Sequence, residues 1–216
     1  MTDATDDRNP TGIKFSQEQI DESIRSDYWN HAIRYSLQYY VTGRFATAHH
    51  FDPVSANLLH HAVELLLKAC LAYDDPLEAI RKYGDWTVYR HDIRLLWAEF
   101  KERCAKADPV VPVPAEFDAI VEGLHAFEAI RYPEKLIETG ATIFVDIFDV
   151  EEPVLSRNQG PEPMYRLKLP QIDSLMALLF GASHANPPAF LPYVTGNQGT
   201  IYYDKVRTTL FGRSVI

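Results

Sequence analysis

The residues best suited to chemistry lie in one stretch of this 216-residue chain, DPVSANLLHHAVELLLKACLAY, residues 52–73. His60, His61 and Glu64 raise the question of a metal site, because His60 and Glu64 are four residues apart and lie on one face of a helix. Helical bundles build metal sites from facing helices. Possible further ligands are His31, His91 and His125. Because no two-histidine motif has metal-ligand spacing, we assign no metal ligand and no cofactor.

His91 and Asp92 form a second candidate site at a predicted helix start. An imidazole titrates near neutral pH and could exchange protons beside a carboxylate. Adjacent helical residues point in different directions, however, and an aspartate in the first turn also stabilises the helix dipole. We therefore favour capping for Asp92 and keep a His–Asp acid–base pair as the alternative.

Arg131 and Tyr132 form a third candidate, near the end of a helix. Arg131 comes seven residues after Leu124, so the aliphatic part of its side chain is expected near the apolar face of the same helix. Its guanidinium could pair with a carboxylate such as Glu64, which is the favoured interpretation, or hold a phosphate bidentately. The binding candidates are Arg131, Tyr132, Glu64, Lys68, His91 and Asp92.

Several reaction classes lack their sequence signatures, so catalytic residues remain unassigned. The chain has no Gly-x-Ser-x-Gly elbow, no Cys–His signature, no phosphate loop and no dinucleotide fingerprint. Tyrosine clusters at residues 35–40 and 202–203 could stack bases. Without many basic neighbours, core or dimer packing explains them better.

The second predicted helix positions the first candidate site. Asp52 and Pro53 mark its start, with Asp52 as the cap and proline at the first position. Apolar residues cover most of its circumference, so we expect it to be central and buried. Its polar side chains form one narrow stripe: Asn57, His61, Glu64 and Lys68. Within that stripe, Glu64 and Lys68 have the spacing of a favourable ion pair.

Three other helices are predicted around it. The first begins with a capping-box spacing, Ser16 to Gln19, and we expect Gly43 to end or bend it. The third follows His91, and the fourth ends or kinks before Pro133. Helical spacing on their apolar faces and short connections favour an up-down four-helix bundle over residues 27–136.

The chain changes character beyond residue 140. Two strands are predicted in ATIFVDIFDV and MYRLKL, then a short helix from Pro170 to Gly181, and a possible last strand at TIYY. The predicted fold class is mainly α, with a C-terminal β-containing extension. We divide the chain into a disordered N-terminus (1–14), the bundle (15–139) and the extension (140–216), which lies on the bundle or reaches a second subunit.

Three short segments form a pattern, by their order and spacing, over about half of the chain. The first lies on the second predicted helix: Ala62, Glu64, Leu65, Leu67, Lys68 and Ala69. The second comes at the start of the third helix and the last near the end of the fourth: Arg90, His91, Asp92 and Ile93, then Arg131, Tyr132, Pro133 and Glu134. In this order they resemble part of the second helix, the Gly-His-Asp-Leu start of the third helix and the Arg-Tyr-Pro-Asp ending of the HEPN family of helical domains.

The resemblance implies a helical bundle, frequent homodimerisation, and links to RNA cleavage, nucleotide binding or toxin–antitoxin systems. Ribonucleases of the family use an arginine followed four to six residues later by a histidine, near the last helix. After Arg131 the sequence reads YPEKLIETG, with no histidine. Arg44 and His49 have the spacing but lie on the first helix, so we treat them as a chance match.

The amino-acid composition limits which partners and which cellular compartment we expect. The net charge of −9 disfavours a broad phosphate-binding surface, although a small basic pocket remains compatible with it. The two cysteines form neither a disulfide framework nor a zinc-ligand set, which favours a reducing compartment. No secretory signal and no run of about 18 apolar residues occurs. We expect a soluble, cytoplasmic protein with no membrane partner.

These observations favour a HEPN-like binding and assembly module. It would form a homodimer and hold a nucleotide, an RNA or a partner protein near Arg131, Glu64 and His91. The alternatives are an atypical HEPN ribonuclease and, less favoured, a metal-dependent helical-bundle hydrolase using His60 or His61. The incomplete motif after Arg131 leaves enzyme activity open and favours a protein that is not an enzyme.

Overall fold

A computed structural model describes residues 16–73, 78, 81–82, 91–107, 113–128, 134, 137–138, 142–147 and 164–195. The helices are α1 (Gln17–Ala48), α2 (Asp52–Ala72), α3 (Ile93–Ala107), α4 (Glu116–Glu128), α5 (Leu169–Ala182) and α6 (Pro187–Thr195). The strands are β1 (Thr142–Asp146) and β2 (Met164–Lys168). The mainly helical class with a small β component is confirmed. The four-helix arrangement and the division at residue 140 stay predictions.

Helix α1 begins with the predicted capping box. Ser16 Oγ accepts a hydrogen bond from the Gln19 backbone N–H at 3.2 Å, and the Gln19 side chain accepts one from the Ser16 backbone N–H at 2.9 Å. The helix continues to Ala48, so Gly43 does not end it, and the alternative expectation of a bend at Gly43 stays a prediction. A Cβ at position 43 would lie 3.0 Å from Leu59 Cγ. Glycine is placed there because α1 and α2 approach closely.

Helices α1 and α2 form an antiparallel hairpin. His50, in the turn, has a φ of 59°, and the Phe51 N–H donates to the Ala46 carbonyl at 2.9 Å, which closes the end of α1. Further along, Ser36 Oγ donates to the Ala62 carbonyl at 2.7 Å. Position 36 therefore lies beside 62 and position 43 beside 59, so the chain directions are opposed.

Helix α2 is the central element of the described structure. It contacts α1, α3, α4, α5 and β1, and most of its side chains are buried, as its sequence predicted. The helix begins at Asp52, with Phe51 at the cap position. Pro53 is thus its second residue, one later than expected. Glu64 and Lys68, from the predicted polar stripe, are also buried, at 3% and 6% exposure.

The strands β1 and β2 pair in parallel, with Thr142 opposite Met164 and Asp146 opposite Lys168. Helix α5 follows β2 directly and ends at Ala182, one residue after the predicted terminator Gly181. The buried side chains of α5 belong to the same hydrophobic core as those of α2, α3 and α4. The predicted disorder at 1–14 and strand at 200–203 lie outside the described residues.

No helix among the described residues combines the length and the apolar character needed to cross a membrane.

Candidate functional site

Glu64 is the centre of the candidate site. Its carboxylate is buried on α2, and Lys68, one turn later, donates from Nζ to Glu64 Oε1 at 2.7 Å. The predicted ion pair is therefore formed. Because the ammonium neutralises the carboxylate at contact distance, the pair brings no net charge into the core.

Two histidines converge on this carboxylate from different elements. His61 Nδ1 lies 3.3 Å from Glu64 Oε2, and His91 Nδ1 lies 3.2 Å from Oε1. His61 belongs to α2, whereas His91 lies two residues before α3 begins. Their side chains are 26% and 32% exposed, against 4% for that of Glu64. We refer to Glu64, Lys68, His61 and His91 as the Glu64 site.

The pKa of Glu64 reflects two opposed influences. Burial alone would raise the pKa, but the hydrogen bond from His61 and the charge of Lys68 outweigh it and lower the pKa to about 2. The carboxylate is therefore ionised throughout the physiological range. An ionised carboxylate only accepts hydrogen bonds, so the nitrogen that each histidine turns toward it carries a proton.

His60 lies behind this site and connects α2 to α4. Its Nδ1 lies 2.9 Å from the Leu124 carbonyl oxygen, and its Nε2 lies 3.8 Å from Glu64 Oε2. The imidazole is buried, with 1% exposure. The sequence groups His60 and His61 with Glu64 and places His61 in the polar stripe of α2, and the structure brings both rings close to the Glu64 carboxylate.

Asp92 caps α3, as favoured from the sequence. Its Oδ1 accepts a hydrogen bond from the Arg94 backbone N–H at 3.0 Å, and the Arg94 guanidinium donates to both carboxylate oxygens. The hydrogen bond from Arg94 lowers the pKa of Asp92. His125 Nδ1 lies 3.5 Å from Asp92 Oδ1. These contacts direct Asp92 toward Arg94 and His125, while His91 faces Glu64.

The structure thus brings together three of the six sequence-predicted binding residues, Glu64, Lys68 and His91, and places Asp92 next to them. Arg131 and Tyr132 lie outside the described residues, so the predicted pairing of Arg131 with Glu64 stays a prediction.

A second buried ionic cluster has no counterpart in the sequence predictions. Asp173 on α5 accepts hydrogen bonds from Tyr40 Oη, at 2.6 Å, and from Arg44 Nη1, both on α1. Burial and the neighbouring Asp173 raise the pKa of Tyr40 well above 10. Arg44 is buried in this cluster, whereas His49 is exposed and its Nδ1 lies 2.8 Å from the Phe45 carbonyl oxygen. The two residues with ribonuclease-like spacing therefore do not form one site. We refer to Tyr40, Arg44 and Asp173 as the Asp173 cluster.

Comparison with known proteins does not assign a family or a function to this chain. No protein-family model, curated protein or solved structure matches the chain significantly. The resemblance to the HEPN family accordingly stays a prediction from the sequence.

Proposed function

We propose that this chain is a HEPN-like binding and assembly module that holds a phosphate-bearing ligand, a nucleotide or an RNA end, at the Glu64 site. The convergence of two partly exposed histidines on one buried carboxylate carries the proposal. Both rings turn Nδ1 toward Glu64, so the Nε2 of each ring lies on its far side. With Nδ1 engaged, Nε2 is the atom with which each ring would meet a ligand.

The charges of the site suit an anion better than the net charge of the chain suggests. Lys68 already balances Glu64, so a proton on either imidazole gives the site a positive charge. Phosphate oxygens accept charge-assisted hydrogen bonds from such donors. A small positive site within a chain of net charge −9 would bind a short phosphate group rather than a long duplex.

The test compares an RNA tetramer carrying a 5′-phosphate with the same tetramer carrying a 5′-hydroxyl, together with adenosine monophosphate, by calorimetry at low salt. We expect the phosphorylated ligands to bind, and His61→Asn or His91→Asn to weaken binding about tenfold or more. The matched control is His50→Asn, which removes an exposed imidazole from a position with φ of 59° that asparagine tolerates. Equal binding of both tetramers, or unchanged binding in both site variants, would reject the proposal.

The second candidate function is an atypical ribonuclease, and the spacing of the two rings favours it. The centroids of His61 and His91 are 6.4 Å apart. Two imidazoles can act as general base and general acid in phosphodiester cleavage. One would take the proton of a 2′-hydroxyl as its oxygen attacks phosphorus, and the other would protonate the departing 5′-oxygen. RNA cleavage that disappears in both His61→Asn and His91→Asn would replace the binding module with this enzyme.

The assembly part of the proposal rests on an apolar face along α1 and α2. Tyr35, Tyr39 and Phe45 are 49%, 38% and 51% exposed, although their side chains are large and aromatic. A groove of about 620 Å³ is lined by Tyr35, Gln38, Tyr39, Thr42, Leu58 and Leu65. Exposed aromatic surface of this kind marks interaction sites, and a second copy of the chain is the partner that we propose.

Light scattering on the purified protein tests the homodimer. We expect a dimer at micromolar concentration and a monomer after Tyr35→Lys combined with Phe45→Lys. Leu95→Lys is the matched control, because Leu95 is 38% exposed on a different helix, α3. A monomeric wild-type protein, or a dimer that survives the double substitution, would reject this part.

A further inference from the structure

We infer that His60, His61 and Glu64 form a binding site for a divalent transition-metal ion, with Zn²⁺ as the best-fitting ion. One ligand atom from each of the three lies within 4.8 Å of the other two. Nitrogen from imidazole and oxygen from carboxylate are ligands that Zn²⁺ prefers. The inference concerns the inner side of the Glu64 site and does not depend on the proposed phosphate binding.

Two of the three distances between ligand atoms are close to those that the ion requires, and the third, between the His60 and His61 nitrogens, lies within 4.8 Å. In a tetrahedral site with bonds of about 2.0–2.1 Å, neighbouring ligand atoms lie about 3.3–3.4 Å apart. His61 Nδ1 and Glu64 Oε2 are 3.3 Å apart. His60 Nε2 and Glu64 Oε2 are 3.8 Å apart, so a side-chain shift of about half an ångström closes this edge to the tetrahedral value.

The surroundings fix two of the ligands in the orientation that a metal needs. The Leu124 carbonyl can only accept a hydrogen bond, so Nδ1 of His60 carries a proton and Nε2 is the ring nitrogen that can coordinate an ion. Lys68 donates to Glu64 Oε1, while Oε2 lies 3.3 Å from His61 Nδ1, 3.8 Å from His60 Nε2 and 3.4 Å from His91 Nδ1. Carbonyl and charged partners of this kind orient metal ligands from outside the first coordination shell.

Binding requires a change of tautomer at His61. In the metal-free protein its Nδ1 proton faces Glu64, and on binding this proton moves through water to Nε2, so that Nδ1 coordinates the ion. His61, which is partly exposed, therefore provides the path for both proton and metal. Three protein ligands leave a fourth position on Zn²⁺ for water or a ligand oxygen.

The test uses untagged, full-length protein stripped with EDTA and titrated with Zn²⁺ by calorimetry. We expect one equivalent of Zn²⁺ per chain, a rise in Tm, and an intense visible absorption band when Co²⁺ replaces Zn²⁺, as tetrahedral coordination produces. His61→Asn, at a partly exposed position, removes one of the three ligands and should weaken binding about tenfold or more and abolish the Co²⁺ band. Circular dichroism verifies that this variant folds, and His50→Asn is the control that should bind as the wild type does.

Two results would overturn the inference: no Zn²⁺ uptake by the stripped wild-type protein, or unchanged affinity in folded His61→Asn. Should His61→Asn not fold, the stoichiometry and the Co²⁺ spectrum of the wild-type protein decide instead. Zn²⁺ uptake without binding of the phosphorylated tetramer would retain the metal site and reject the proposed function. Binding of the tetramer by metal-free protein, without Zn²⁺ uptake, would do the reverse.

Discussion

The Glu64 site and the Asp173 cluster both bury a carboxylate between helices, but they differ in their access to solvent. Tyr40 is fully buried, and the side chains of Arg44 and Asp173 are 8% and 9% exposed. In the Glu64 site the carboxylate is equally buried, yet two of its partners are about a quarter to a third exposed. A ligand can reach the second group and not the first.

The two groups contain chemically similar residues, but we expect a structural role for the Asp173 cluster and a binding role for the Glu64 site. The Asp173 cluster ties α1 to α5 over a sequence separation of 129 residues between Arg44 and Asp173. Three of the four members of the Glu64 site lie within two turns of α2. They link neighbouring turns of one helix, so the packing of α2 against other helices does not depend on them. Removing a member of the cluster should therefore cost stability, whereas removing either exposed histidine of the site should cost mainly ligand affinity.

The largest loss of stability is expected from Asp173→Ala, about 3–5 kcal/mol of the free energy of unfolding. The substitution leaves the Arg44 guanidinium and the Tyr40 hydroxyl buried without their acceptor. Urea denaturation followed by tryptophan fluorescence measures it. Ser174→Ala, at an exposed position on the same helix, is the control and should change little. A loss below about 1 kcal/mol would show that the Asp173 cluster contributes little to the stability of the fold.

A smaller loss, about 1–3 kcal/mol, is expected from Lys68→Met. Glu64 then loses its ammonium partner, but His61 and His91 still donate to it, which limits the cost. Lys106→Met is the matched control, since Lys106 forms an exposed pair of the same spacing with Glu102 and should contribute about 0.5 kcal/mol or less. A loss in Lys68→Met that equals that of Asp173→Ala would contradict the difference between the two groups.

Tyr40→Phe should cost about 1–2 kcal/mol, because it removes one hydrogen bond to a charged acceptor while Arg44 still pairs with Asp173. The thermal or urea midpoint measures this loss. Tyr35→Phe, at an exposed position on the same helix, controls for the loss of a hydroxyl group. An unchanged midpoint in Tyr40→Phe would show that its hydroxyl group contributes nothing to the cluster.

The smallest change in stability, less than about 1 kcal/mol, is expected from His91→Asn. Its side chain is partly exposed, and Lys68 and His61 remain in contact with Glu64. The same substitution should nevertheless weaken binding of the phosphorylated tetramer about tenfold or more. A variant that loses stability but keeps its affinity would place His91 with the structural residues.

Local spacing predicts the part of the site that lies on one helix. The ion pair between Glu64 and Lys68 and the buried character of α2 follow from periodicity, because residues four apart on a helix are neighbours. The mainly helical class and the two short strands also follow from local patterns. The capping roles of Ser16 and Asp92 depend only on residues two or three positions away.

Local spacing does not predict contacts between segments that are distant in the sequence. Asp173 pairs with Arg44 only because α5 packs on the helical core, and nothing near either residue indicates it. Gly43 looks like a helix terminator locally, but the close approach of Leu59 explains it. The approach of His91 to Glu64 at 3.2 Å likewise depends on how α3 packs against α2.

Histidine-selective NMR on the wild-type protein tests the binding role of the Glu64 site most directly. Side-chain resonances of His61 and His91 are followed while the phosphorylated tetramer is added, with His50 and His184, both exposed and outside the site, as internal references. We expect the resonances of His61 and His91 to shift together and saturate, while the reference resonances stay in place. Saturating binding that leaves His61 and His91 unmoved, or no binding at all, would contradict the binding role of the Glu64 site.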